Sequence, residues 1–215
     1  MRSTILRTAA LSAVALAAVT GLPAHAAAPF KTVTITDPAG DGNGLNGQGL
    51  VTGAPSPSTP SDYSGGDILS IAWTTLGNKA KPAGFKVVMT LSAAPSAGTV
   101  YRVTTTTADC STFWLNYYVY PDGPTKGVLQ HNCPGFTPTG TTGSSESDAL
   151  TPVVKGSTIT WTVPASMLPK AVKKGTAITT LSGETRFMAG TSASGGATVP
   201  VIDSASGDGS FTYGK

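Results

Sequence analysis

The segment Asp37-Pro38-Ala39-Gly40-Asp41-Gly42-Asn43-Gly44 sets two carboxylates and an amide oxygen in a stretch too rich in Gly and Pro to be helix or regular strand. Calcium gathers about six to eight oxygens at roughly 2.3–2.6 Å on a chain that bends tightly. Asp37, Asp41 and Asn43, with the carbonyls beside Gly40, Gly42 and Gly44, offer that chemistry. An EF-hand is not implied, because Gln48 stands where the bidentate Glu belongs and the flanks read as strands. Asp67, at the start of the next strand, and Asp203, in Val201-Ile-Asp-Ser204 before the last one, are expected at the same edge. The plainer account is that these acids bond the backbone of their own turns and strand starts.

A second constellation is the row Trp114, Asn116, Tyr118 and Tyr120, alternate residues of one stretch and so on one side of a strand. Flat rings with an amide between them suit a sugar, whose rings stack and whose hydroxyls need a few polar partners. The competing account packs these rings under the Pro134–Asp148 segment or into the core.

Catalytic arrangements are weaker. His131 is the only histidine beyond residue 25, and no serine sits in a strand-turn-helix elbow. The only two glutamates are Glu146 and Glu184, and a hydrolase using Glu184 with Asp203 or Asp148 is conceivable, though nothing in their spacing selects them. Glu184 and Arg186, two residues apart, read more simply as a surface ion pair. Zinc has too few His and Cys ligands.

The elements that must carry these residues are strands. Phe85, Val87, Met89 and Leu91 alternate with Lys86, Thr90 and Ser92, the pattern of a half-buried strand. Comparable patterns cover 31–36, 68–75, 100–107, 113–120, 128–133, 158–163, 177–188 and 210–213, separated by Gly, Pro, Asn and Asp. Pro164 and Pro169 enclose one short helical turn. Two long polar segments, 45–63 and 134–148, read as loops. The expectation is an all-β antiparallel sandwich, jelly-roll-like, with long loops.

Residues 1–26 read as a secretory signal peptide: Arg2 and Arg7 precede a short apolar run that ends in Ala24-His25-Ala26. Residues 27–215 are then one secreted, extracellular domain. The chain has 14 Lys and Arg against 11 Asp and Glu, and two of the cations belong to the leader. Near-neutral charge without a basic stripe excludes nucleic acid as the partner, and no apolar stretch is long enough for a membrane span. In an oxidising compartment Cys110 and Cys133 are expected to form a disulfide worth about 3 kcal/mol. Set opposite one another in a hairpin turning at Pro121–Pro124, they would place Trp114 against Leu129 and Leu115 against Val128.

The succession DPAGDGNG, DILSIAW, FKVVMTL, ITWTVPASML and VIDSASGDGSFTYG resembles the DOMON-like and family 9 carbohydrate-binding-module-like β-sandwiches of exported bacterial proteins, over nearly all of residues 27–215. The resemblance implies a jelly-roll-like sandwich with structural calcium near the first strand, matched here by Asp37, Asp41 and Asp67, and in different branches sugar or haem binding. The exposed tryptophan pair of the sugar binders has no counterpart, since Trp73 and Trp161 lie mid-strand among apolar neighbours. Haem lacks ligands: His131 stands alone, and Met89, Met167 and Met188 read as packing residues. The expected function is a noncatalytic binding or envelope-associated domain for a polysaccharide or cell-wall component. An extracellular carboxylate-dependent hydrolase and a purely structural protein are the alternatives.

Overall fold

The computed structural model describes residues 30–40, 65–107, 110–132, 146–169, 172–189 and 197–215. The expected leader, the loop from Asp41 onward and Cys133 lie outside them. Twelve strands are present among the described residues: β1 (Thr32–Thr36), β2 (Ile68–Gly77), β3 (Pro82–Leu91), β4 (Thr99–Thr107), β5 (Cys110–Val119), β6 (Lys126–Asn132), β7 (Glu146–Ala149), β8 (Val153–Lys155), β9 (Thr158–Pro164), β10 (Ala177–Ala189), β11 (Ala197–Gly207) and β12 (Phe211–Thr212). They form two antiparallel sheets, one of order β1-β2-β3-β9-β8 and one of order β11-β10-β4-β5-β6-β7, with β12 pairing to β10. A 3-10 turn, Ala165–Met167, follows Pro164 as the flanking prolines predict.

Alternation decides which face of each strand is buried. Ile71, Trp73, Phe85, Val87, Met89, Ile159, Trp161 and Val163 of the first sheet meet Tyr101, Val103, Phe113, Leu115, Leu129 and Leu181 of the second in one core. Phe85 bridges the sheets, with ring centroids 6.1 Å from Phe113 and 6.0 Å from Phe211. Trp73 and Trp161 are fully buried, on either side of Val87 in the register. Met89 and Met188 are core residues, and Met167 packs against the core. At Gly183 in β10 a Cβ would overlap Ile71 Cδ1 of the opposite sheet.

Several expectations need correction. Asp203 precedes the last strand as expected, but it lies inside a further strand, β11, which sequence patterning missed. Pro200 and the Ser/Gly content hide this strand, and a proline fits there because β11 is a sheet edge with a register shift opposite Pro200. Strands β7 and β8 were also unread; β7 places Glu146 and Asp148 in a ladder with β6 rather than in a loop.

The β5–β6 register differs by one residue from the one that facing cysteines require. Trp114 lies opposite Gln130, not Leu129, and Leu115 lies opposite Leu129, not Val128. A one-residue slip would send Leu129 and His131 to the face of Trp114; in the observed register both are buried on the face of Phe113, Leu115 and Tyr117. Burial of that face, not the cysteine pair, sets the register. Cys110 pairs with Thr107 of β4; the expected Cys110–Cys133 disulfide falls outside the described residues.

Candidate functional site

The face of the second sheet turned away from the core carries the row singled out in β5. Across it the register aligns Ser204, Glu184, Arg102, Asn116 and Val128 in one line, and Ser206, Ser182, Thr104, Trp114 and Gln130 in the next. Arg102 is the sole charged residue of β4, and its cross-strand neighbours, Glu184 and Asn116, are both polar. Its Nε donates to Asn116 Oδ1 at 2.8 Å and its Nη1 to Glu184 Oε1 at 3.2 Å. The guanidinium carbon sits 4.5 Å from the Trp114 ring centroid. Asn116 Nδ2 donates onward to Gln130 Oε1 at 2.8 Å, while Arg186 Nη2 donates to Glu184 Oε2 at 2.8 Å. Five side chains from four adjacent strands thus form one chain of charge-assisted and amide bonds.

This network fixes the roles of the predicted residues. Asn116 is fully buried with both ends of its amide engaged, so it positions Arg102 and Gln130 rather than meeting a ligand itself. Trp114, Tyr118 and Tyr120 are half-buried, presented on this face and outside the core. Tyr118 and Tyr120 stack on each other, centroids 5.9 Å apart and planes 12° from parallel. Burial, and then the neighbouring Tyr118, push the Tyr120 hydroxyl above its ordinary pKa. Sequence reasoning found the rings and the Glu184–Arg186 pair but missed Arg102 and Gln130. The isolated charge in Val-Tyr-Arg-Val-Thr was the available signal for the first.

The acids form a separate cluster around the start of β2. Both Asp67 oxygens accept from Gly40 N–H, each at 3.1 Å. Asp203 accepts from Ile68 N–H at 2.6 Å and from Ser204 N–H at 2.8 Å, and Asp37 N–H donates to Leu69 carbonyl at 3.0 Å. Beside them, Tyr101 OH donates to Gly65 carbonyl at 2.7 Å and Thr185 Oγ1 to Gly66 carbonyl at 2.5 Å. Buried polar side chains of the second sheet therefore hold the Gly65–Ile68 segment of the first. Burial pushes the Tyr101 hydroxyl up to about 12. Of the proposed calcium ligands, Asp67 and Asp203 each bond backbone N–H groups near the start of β2 and Asp37 is tied there through its own backbone, while Asp41 and Asn43 lie outside the described residues. Among the described residues no three His, Cys, Asp or Glu are grouped to hold a metal, and the backbone bonds already account for Asp67 and Asp203.

The two expected pairings, Glu184 with Asp203 and Glu184 with Asp148, are not assembled. Glu184 lies opposite Ser204, and Asp203 opposite Thr185, so the two acids leave opposite faces of the sheet. Asp148 lies opposite Leu129, again on the other side from Glu184. His131 is buried on the core face. No helix among the described residues is long and apolar enough to cross a membrane. No protein-family model, curated protein or solved structure matches the chain.

Proposed function

We propose that the chain is a secreted, noncatalytic binding domain whose ligand, a polysaccharide of the cell wall or another glycan, lies across Trp114, Tyr118 and Tyr120. One observation carries the reading: a guanidinium held over Trp114 by Asn116 and Glu184, on a sheet face that the core does not use. A plate built this way loses little side-chain entropy on binding, because its rotamers are fixed beforehand. The open ring surface and the outer guanidinium donors match the apolar face and the hydroxyls of a sugar. The DOMON-like and carbohydrate-binding-module resemblance agrees with an exported sandwich of this kind, and the leader over residues 1–26 supports export.

Calcium adds to this reading only if Asp41 and Asn43 close a shell with Asp37, Asp67 and Asp203, where it would brace the first strand. The opposed faces of Glu184 and Asp203 weigh against hydrolysis. The test is a glycan array probed with residues 27–215 and with the Trp114→Ala and Tyr118→Ala variants. Binding that both substitutions weaken is expected; glycan binding unchanged by either, or no glycan bound by the unaltered protein, overturns the proposal.

A further inference from the structure

At the end of the same sheet face the ladder is broken. Thr179 lies opposite Thr106 and Ser182 opposite Thr104, so β10 carries one extra residue between them. Thr180 sits in this bulge with φ of 53°, a left-handed conformation that a β-branched residue adopts only under constraint. Its hydroxyl is 2.8 Å from Thr106 Oγ1, which is also 3.0 Å from Thr179 Oγ1. Beside the bulge, β11 ends at Gly207, and the chain to β12 leaves an open pocket of about 360 Å³. Its polar lining is Thr179, Thr180, Ser182, Ser206, Asp208 and Ser210, over the buried Leu181.

The pocket and the aromatic plate share a row of the register. Ser182 is next to Thr104, and Thr104 next to Trp114; two strand spacings separate Ser182 from Trp114 by about 10 Å. A chain running across the strands from Trp114 therefore meets the pocket without leaving the sheet face. The pocket's hydroxyls donate and accept, and its one carboxylate accepts from hydroxyl or amide N–H groups while repelling acidic sugars. We infer that this pocket is a second subsite for an uncharged, hydroxyl- or acetamido-bearing sugar unit, so that the domain binds an extended glycan across β11, β10, β4 and β5. This rests on the polysaccharide reading of the plate.

The experiment is calorimetric titration of the protein with a chitooligosaccharide ladder from disaccharide to hexasaccharide, alongside Ser206→Leu, Asp208→Asn and Trp114→Ala. In the unaltered protein the affinity should climb with chain length. Ser206→Leu, at an exposed position, should remove that gain, a loss of about tenfold for the longest oligomer, and leave the shortest unaffected. Asp208→Asn, on the exposed connection, should reduce it in the same direction. Long oligomers binding Ser206→Leu and Asp208→Asn as tightly as the unaltered protein, with Trp114→Ala abolishing binding, would refute the subsite and leave the plate standing. Failure of every oligomer to bind the unaltered protein would remove this inference, and the array result separately decides the broader one.

Discussion

Glu184 and Asp203 sit on neighbouring strands one register step apart, and their side chains emerge on opposite sides of the sheet. The first is held between two guanidinium groups, 3.2 Å from Arg102 Nη1 and 2.7 Å from Arg186 Nε. The second accepts backbone N–H bonds at the junction of the two sheets. Each acid has a structural occupation of its own.

Replacing Glu184 by Ala leaves Arg102 and Arg186 adjacent without their shared anion. We expect a loss of about 1–2 kcal/mol, between the exposed and buried limits for ion pairs, seen as a lower urea midpoint. Release of reducing ends from polysaccharide should not depend on this residue; a hydrolytic activity that disappears in Glu184→Gln would argue for the enzyme instead.

Asp203→Ala strips the acceptor from the buried Ile68 N–H and should destabilise by about 1–3 kcal/mol. Asp203→Asn, which keeps one acceptor oxygen, should cost less. If calcium also braces this corner, EDTA lowers the Tm and Asp41→Ala reproduces the shift; superimposable melting curves with and without chelator would leave the backbone caps as the whole account.

The Tyr101 hydroxyl, pushed up to about 12 by burial from its ordinary 10.0, makes stability depend on alkaline pH. The unfolded chain loses this proton first, so the contribution is complete below about pH 10 and disappears as pH rises toward 12. Its size is roughly 2–3 kcal/mol. Urea unfolding between those limits should show the decline, and Tyr101→Phe should flatten it; an equal slope in both proteins would assign the effect to other tyrosines.

Gly183→Ala forces a methyl group into Ile71 across the sandwich. An overpacked core costs about 1–3 kcal/mol, and the companion change Ile71→Val should recover part of it. Additive losses in the double variant would show that the two residues do not share this contact.

Strands with a buried face were readable because alternation is a local property, as Phe85 to Leu91 shows; in β5 the fully buried Asn116 interrupts it. Strands without that signal were not. In β8 both Val153 and Val154 are exposed, and β11 mixes Ser, Gly and Pro. The binding face was half legible for a related reason. Which rings share a side follows from spacing within one strand, but the meeting of Arg102 with Trp114 depends on how two strands slide past each other. That β4–β5 offset sets Val103 opposite Leu115, both fully buried, and the next offset, β5 against β6, follows the burial of Leu115 beside Leu129 where the cysteines suggested another.

Pro200 also bears on how the protein behaves among its own copies. β11 is an outermost strand, and flat margins of this kind template intermolecular zippering when their amides are continuous. A residue without an amide hydrogen interrupts that template midway along the strand. At high protein concentration the risk of fibre growth is then lower, and Pro200→Val should raise the tendency to form such fibres without altering what the opposite edge can pair with.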